Sequence, residues 1–169
     1  TEPTVNPSNA LQKLMIETVG CKTDVDKAAA GDKVKIVSFE TNETKRLGDV
    51  KVNDGKVAVT NNEFIMPEVN VKVVAEYKEL YNIAASGCTT VDKAAAGDSV
   101  TIVPVIPDGM EIDKVIVNGA EGSGLTFTMP AGDCKVEVTF KEKMYKVTAK
   151  NCLVDKTEAR KGDTITVEY

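Results

Sequence analysis

Histidine and tryptophan are both missing from this chain of 169 residues, and its other aromatic side chains number only four Phe and four Tyr. Without histidine there is no Ser-His-Asp or Cys-His arrangement and no imidazole ligand for a metal. Paired carboxylates could still act on a glycoside, but such sites need a cleft and rings on which sugars stack. We therefore predict that the protein is not an enzyme, expect no cofactor, and nominate no catalytic, cofactor-binding or metal-binding residue.

An excess of basic residues is also absent. The 21 Lys and Arg against 26 Asp and Glu give a formal charge of -5, the wrong sign for binding phosphates, so nucleic acid is excluded as a partner. No apolar run approaches the roughly 18 residues that span a bilayer, so we expect no membrane insertion. The opening TEPTVNPSN resembles a mature exported protein after signal removal, which predicts an extracellular or cell-wall location.

The four cysteines lack the close C-x-x-C spacing of zinc sites. Cys21, Cys88 and Cys152 end the same block in three copies of a repeat, so pairing among them is not expected. Val71 stands in the first copy where the second has Cys134, which favours a small buried hydrophobic role and free thiols. The alternative is a disulfide between Cys88 and Cys134.

The chain repeats itself. VDKAAAGD occurs at residues 25–32 and again at 91–98, with a looser VDKTEARKGD at 154–163, and the surrounding blocks follow in the same order. Insertions fall between the blocks, as expected for loops. The self-alignment predicts four segments: a linker at 1–12, a first repeat at 13–79, a second at 80–143 and a partial third at 144–169.

Period-2 alternation predicts that the blocks are strands with one buried face, as in Cys134, Val136, Val138 and Phe140. NDG at 53–55, PDG at 107–109 and NG at 118–119 supply turns. About five short strands per copy must close over one another, so we predict an all-β chain of tandem small β-sandwich or open-barrel modules. The alternative, a β-grasp-like module, requires a crossing helix of about ten residues.

VDKAAAGD lies between the first two predicted strands. Its first Asp can cap one helical turn, three Ala can fill that turn, and Gly can end it in the left-handed conformation. The functional alternative is an ion-binding loop that uses Asp26 and Asp32, or Asp92 and Asp98. Because the alternating carboxylates of D-x-D-x-D-G are absent, we favour a structural turn.

Residues 145–169 contain only the first two strands of a copy, and a lone hairpin is marginal in water. We expect these strands to complete the sheet begun by residues 110–140, so that the structural module is offset from the sequence repeat. The alternative is pairing with another molecule through open strand edges, including self-association.

The blocks of the second copy share a set of residues with a known type of repeat. These residues are Ala96, Gly97, Asp98, Val100, Pro107, Gly109, Val117, Asn118, Gly119, Phe127, Thr128, Met129, Pro130, Ala131, Asp133, Val136, Val138 and Phe140. In these residues and in its block order the chain resembles the divergent internalin-type B-repeat, a Listeria–Bacteroides-type repeat of bacterial surface proteins. This resemblance implies a non-catalytic tandem-repeat region of a secreted or cell-wall-associated protein that acts as a spacer or adhesive stalk. The alternative function is a carbohydrate- or protein-binding module of a larger extracellular protein, so an extracellular protein or glycan is the expected partner.

Overall fold

The computed structural model describes residues 12–169, so the predicted linker lies outside the described residues except for its last position. These residues form strands and turns without a helix, which confirms the all-β prediction. The crossing helix that the β-grasp alternative requires is absent from the described residues. The chain divides into two compact units, Thr1–Leu80 and Tyr81–Tyr169. The strands are β1 (Leu14–Val19), β2 (Cys21–Thr23), β3 (Lys27–Ala28), β4 (Lys33–Phe39), β5 (Lys45–Val52), β6 (Glu63–Ile65), β7 (Val71–Ser86), β8 (Cys88–Thr89), β9 (Lys93–Ala95), β10 (Ser99–Thr101), β11 (Val103–Pro104), β12 (Met110–Val117), β13 (Ala120–Gly122), β14 (Thr126–Thr128), β15 (Cys134–Glu142), β16 (Met144–Lys146), β17 (Leu153–Val154), β18 (Glu158–Arg160) and β19 (Val167–Glu168).

In the first unit, one sheet has the order β3-β1-β7-β5 and a second has the order β2-β4-β6. The first strand pairs with the last in parallel, from Ile16 opposite Val71 to Val19 opposite Val74. Both sheets contribute to one core, so the unit is a small β-sandwich. Its buried residues are Ile16, Cys21, Ala28, Val34, Ile36, Val52, Phe64, Met66, Val71, Val73 and Ala75.

The second unit repeats this plan. The C-terminal part of β7 is its first strand and pairs in parallel with β15, with Ile83 opposite Cys134. Strand β12 pairs antiparallel with β15, and β8-β11 and β10-β14 take the places of the second sheet. The core residues are Ile83, Cys88, Ala94, Val100, Ile102, Val115, Met129, Cys134, Val136 and Val138.

The alternating pattern places side chains as predicted along the last strand of each unit. In β15, Cys134, Val136 and Val138 are buried, whereas Lys135 is exposed. The alternation ends before the end of β7, where Ile83 is buried but Ala85, two residues later, is exposed. The predicted turns form with positive φ at Asn53, Asp54 and Gly55, and at Asn118 and Gly119.

The prediction that residues 145–169 complete the sheet of residues 110–140 is wrong. That sheet is completed by Ile83–Ser86, because each unit pairs its own first strand with its own last strand. Residues 144–169 instead form two ribbons of their own, β16-β18 and β17-β19. Within the described residues, side-chain ion pairs join them to the rest of the second unit: Arg160 pairs with Glu142 at 2.7 Å, and Lys161 pairs with Asp108.

The shared letters VDK mislead in the third copy. Asp24 Oδ1 accepts from the Lys35 amide at 3.0 Å, and Asp155 Oδ1 accepts from the Thr166 amide at 2.9 Å. Asp155 is therefore equivalent to Asp24, and the VDK of residues 154–156 is displaced by two positions from that of the first copy. The hydrogen bond between the aspartate and the backbone amide, and not the identity of the letters, shows which residues of the two copies are equivalent.

Close approach of the last strand requires glycine between the first two strands of each complete unit. Gly87 has a φ of 70°, and a Cβ there would lie 2.2 Å from Val138 O. Gly97 has a φ of 86° but no atom within 4 Å of such a Cβ. Replacing Gly97 with alanine would therefore strain the backbone alone. Replacing Gly87 with alanine would strain the backbone and also place the new methyl group against the last strand.

We predict that Gly97→Ala destabilises the second unit by about 1–2 kcal/mol, the usual cost of a left-handed alanine. Gly87→Ala should cost about 1–3 kcal/mol more, because β15 must shift away from the new methyl group. Urea unfolding of both variants would measure the two free energies. Equal losses would contradict the close approach of the two strands.

Candidate functional site

The repeated letters build one loop, here called the AGD loop, which comprises residues 28–32, 94–98 and 159–163. It is not the predicted helical turn, since Ala28, Ala94 and Ala159 lie in strands and are buried. Ala28 and Ala94 belong to the cores of the two complete units. The carboxylate that accepts a backbone amide belongs to the last Asp of the motif, whereas the sequence analysis gave the capping role to the first Asp. Its Oδ2 accepts from a backbone amide at 2.9 Å in each copy: Asp32 from Ala29, Asp98 from Ala95, and Asp163 from Arg160.

In both complete units, the AGD loop holds a methionine of the facing strand by its backbone. The Gly31 amide donates to Met66 O at 2.8 Å, and the Met66 amide donates to Asp32 O at 2.8 Å. Gly97, Asp98 and Met129 repeat the pair at 2.9 and 2.8 Å. Both methionine side chains are fully buried. We call this two-bond arrangement the methionine clamp.

The ion-loop alternative gains no support from this geometry. The carboxylates of Asp32 and Asp98 are occupied by backbone amides of their own loop. Among residues 12–169, no group of three or more Asp, Glu, Cys or His could hold a metal ion. The repeated motif of the two complete units is thus a loop that its own aspartate closes.

Among residues 12–169, two carboxyl groups have shifted pKa values, and both pKa values shift downward. Hydrogen bonds from Lys33 and Lys35 lower the pKa of Glu63, and the hydrogen bond from Lys161 lowers the pKa of Asp108. A general acid at neutral pH needs the opposite shift. These two groups act as anions that bind lysines across turns and strands.

A surface groove of about 610 Å³ lies beside β1 and β2. Asp24 and Asp26 line it together with Lys13, Lys22 and Lys27, and no aromatic ring is among its lining residues. Asp24 is already engaged, since its Oδ1 accepts from the Lys35 amide. The groove is open to solvent and lacks the stacking surface of a sugar site.

All four cysteines are free thiols in the structure. Cys21, Cys88 and Cys134 are buried in the two cores, and burial raises the pKa of each thiol. Cys152 differs, because it is only partly buried. The interpretation of all four as core residues therefore fits three of them and fails for the third copy, whose core is incomplete.

The third copy exposes the apolar face that the complete units bury. Val167 is 44% exposed, whereas its equivalents Ile36 and Ile102 are 5% and 2% exposed. Leu153, Tyr145 and Tyr169 are exposed as well. The sequence analysis predicted that the sheet of residues 110–140 would cover this face, but that sheet pairs with Ile83–Ser86 instead.

In comparisons with known proteins, no family model, no curated protein and no solved structure matches the chain. The described residues contain no helix that is long and apolar enough to cross a membrane.

We predict that Asp98→Ala costs about 1 kcal/mol of stability, because the Ala95 amide loses its acceptor. Asp98→Asn should cost much less, since the amide oxygen can still accept. Thermal melts with and without Ca²⁺ provide the check. A Ca²⁺-dependent rise in melting temperature that both variants abolish would restore the ion-loop alternative.

The thiols give a second prediction. Native protein should react with a thiol reagent first at Cys152, while the buried Cys21, Cys88 and Cys134 lag, and unreduced unfolded protein should yield four thiols. Because burial raises the folded pKa of these three thiols, their contribution to stability is complete below the unfolded pKa of about 8.5 and is lost as the pH rises through the folded values. Two reactive thiols in the unfolded protein would instead indicate a bond between Cys88 and Cys134.

Proposed function

We propose that the chain is a non-catalytic, load-bearing repeat region of a secreted or cell-wall-associated bacterial surface protein, a spacer or adhesive stalk. The observation that carries this proposal is the parallel pairing of the first and last strands in both units. A force that pulls the two ends of such a unit apart runs along the pair. It loads all hydrogen bonds between the two strands at once, so no single bond opens before the others.

Chain continuity supports the same role. Strand β7, Val71–Ser86, contains both the last strand of the first unit and the first strand of the second. Each of the two closing pairs therefore includes a part of β7. The resemblance to internalin-type B-repeats supports a location at the bacterial surface.

Single-molecule force spectroscopy tests this proposal on the second unit. Handles at residues 81 and 143 shear β7 from β15, whereas handles at residues 107 and 143 peel β12 from β15, because Met110 pairs with Glu142 at that end. We expect a clearly higher unfolding force in the first geometry, with the same protein serving as its own control. Equal forces in the two geometries would contradict a load-bearing role.

The second candidate function is a protein-binding module. It is favoured by the exposed apolar side chains of the third copy, including Leu153 at 70% and Tyr145 at 42% exposure. Such patches on soluble proteins often mark interaction sites.

A further inference from the structure

The parallel pairing of first and last strands, here called the closing ladder, is nearly matched in the two complete units. Each closing ladder has four residue pairs. In each, an aromatic ring of the last strand lies against the glycine that follows the first strand. A Cβ on Gly20 would lie 3.0 Å from Cε2 of Tyr77, and a Cβ on Gly87 would lie 3.3 Å from Cε2 of Phe140. At this point the two units therefore differ by one hydroxyl group.

In the first unit, that hydroxyl joins three segments of the chain. The Tyr77 hydroxyl donates to Gly20 O and accepts from the Glu40 amide at 2.8 Å. Tyr77 lies in β7, Gly20 lies between β1 and β2, and Glu40 directly follows β4. Strands β1 and β7 belong to the first sheet and β4 to the second. We call this pair of bonds the tyrosine tie, since it connects the end of the closing ladder to both sheets.

In the second unit, the corresponding backbone groups bond to each other directly. Val105 takes the place of Glu40, because each of them directly follows the partner of the core cysteine in the neighbouring strand. The Val105 amide donates to Gly87 O at 3.0 Å. This bond leaves out the last strand, whose Phe140 has no hydroxyl to take part. The second closing ladder therefore ends without a side-chain hydrogen bond of this kind.

Lys45 covers the tyrosine tie on its outer side. Its Nζ lies 4.6 Å from the centroid of the Tyr77 ring and 3.5 Å from Oε2 of Glu40. The Tyr77 side chain is also partly buried against the core of the first unit. Hydrogen bonds that are shielded from water in this way are stronger than those on an open surface.

We propose that the closing ladder of the second unit opens before that of the first, and that the Tyr77 hydroxyl sets this order. The two ladders have the same length, and both begin at a side-chain acceptor, Asn70 Oδ1 in the first and Asp133 Oδ1 in the second, each at 2.8 Å from its amide. The tie at the other end is the difference, because the first ladder must break it in order to open. This order holds whether or not the chain bears load.

Native-state hydrogen exchange of the full chain in low urea, followed by NMR for each amide, tests the order without applying force. Residues 71–77 report the opening of the first ladder and residues 134–140 that of the second. We expect the second ladder to open about five-fold more often, which is the ordinary contribution of a hydrogen bond. Tyr77→Phe should raise the opening of the first ladder by about five-fold and leave the second unchanged.

The Glu40 amide reports the tie itself. In Tyr77→Phe this amide loses its acceptor, so its exchange should accelerate more than that of residues 71–77, whereas a loss of packing alone would not single it out. Tyr145→Phe is the matched control, because it removes the hydroxyl of an exposed tyrosine, and it should change neither ladder. Equal opening of both ladders in the unaltered protein, or an unchanged difference between them in Tyr77→Phe, would overturn the proposal.

Discussion

Everything else in each unit depends on the parallel ladder between its first and last strands. The ladder joins residues far apart in sequence, such as Ile16 and Val71, and so closes the module around its core. An amide-accepting side chain reinforces its start in both units, since Asn70 Oδ1 accepts from the Met15 amide and Asp133 Oδ1 from the Asn82 amide, each at 2.8 Å. The ladder also dictates which residues the neighbouring turns can carry.

The AGD loop is the second device that both units share, and it works at the opposite sheet. Its aspartate orients the loop, its glycine takes a conformation that costs other residues free energy, and the two together hold the backbone of a buried methionine. The same eight letters therefore form the same loop in both complete units, and in each unit that loop binds the backbone of the buried methionine. The loop therefore fixes the register of the methionine segment by two backbone hydrogen bonds.

The third copy shows what these devices do when their partners are missing. The loop still closes, because its aspartate and amide lie within a few residues of each other. The apolar strand faces remain partly exposed, because their cover in the other units comes from strands that follow much later in the chain. The local hydrogen bond of the loop therefore forms in the third copy as in the complete units, whereas the apolar residues are not buried as they are there.

Sequence alone determined the all-β class, the repeat, the inward faces of strands such as Cys134–Glu142, and the turns at Asn53–Gly55 and Asn118–Gly119, because alternation and turn chemistry are local properties. The sequence analysis was wrong about a helical turn at the AGD loop. Three alanines favour a helix by local propensity, but in the fold the first alanine of each loop is buried in a strand. It also misjudged the third copy, because the letters VDK align by identity while the chain aligns by the bond of Asp155 to Thr166. Only the tertiary structure decided that the first strand of each unit pairs with the last strand in parallel. The pairing gains burial between residues far apart in the sequence at the entropic cost of closing a long loop. No short window of residues carries a signal for it.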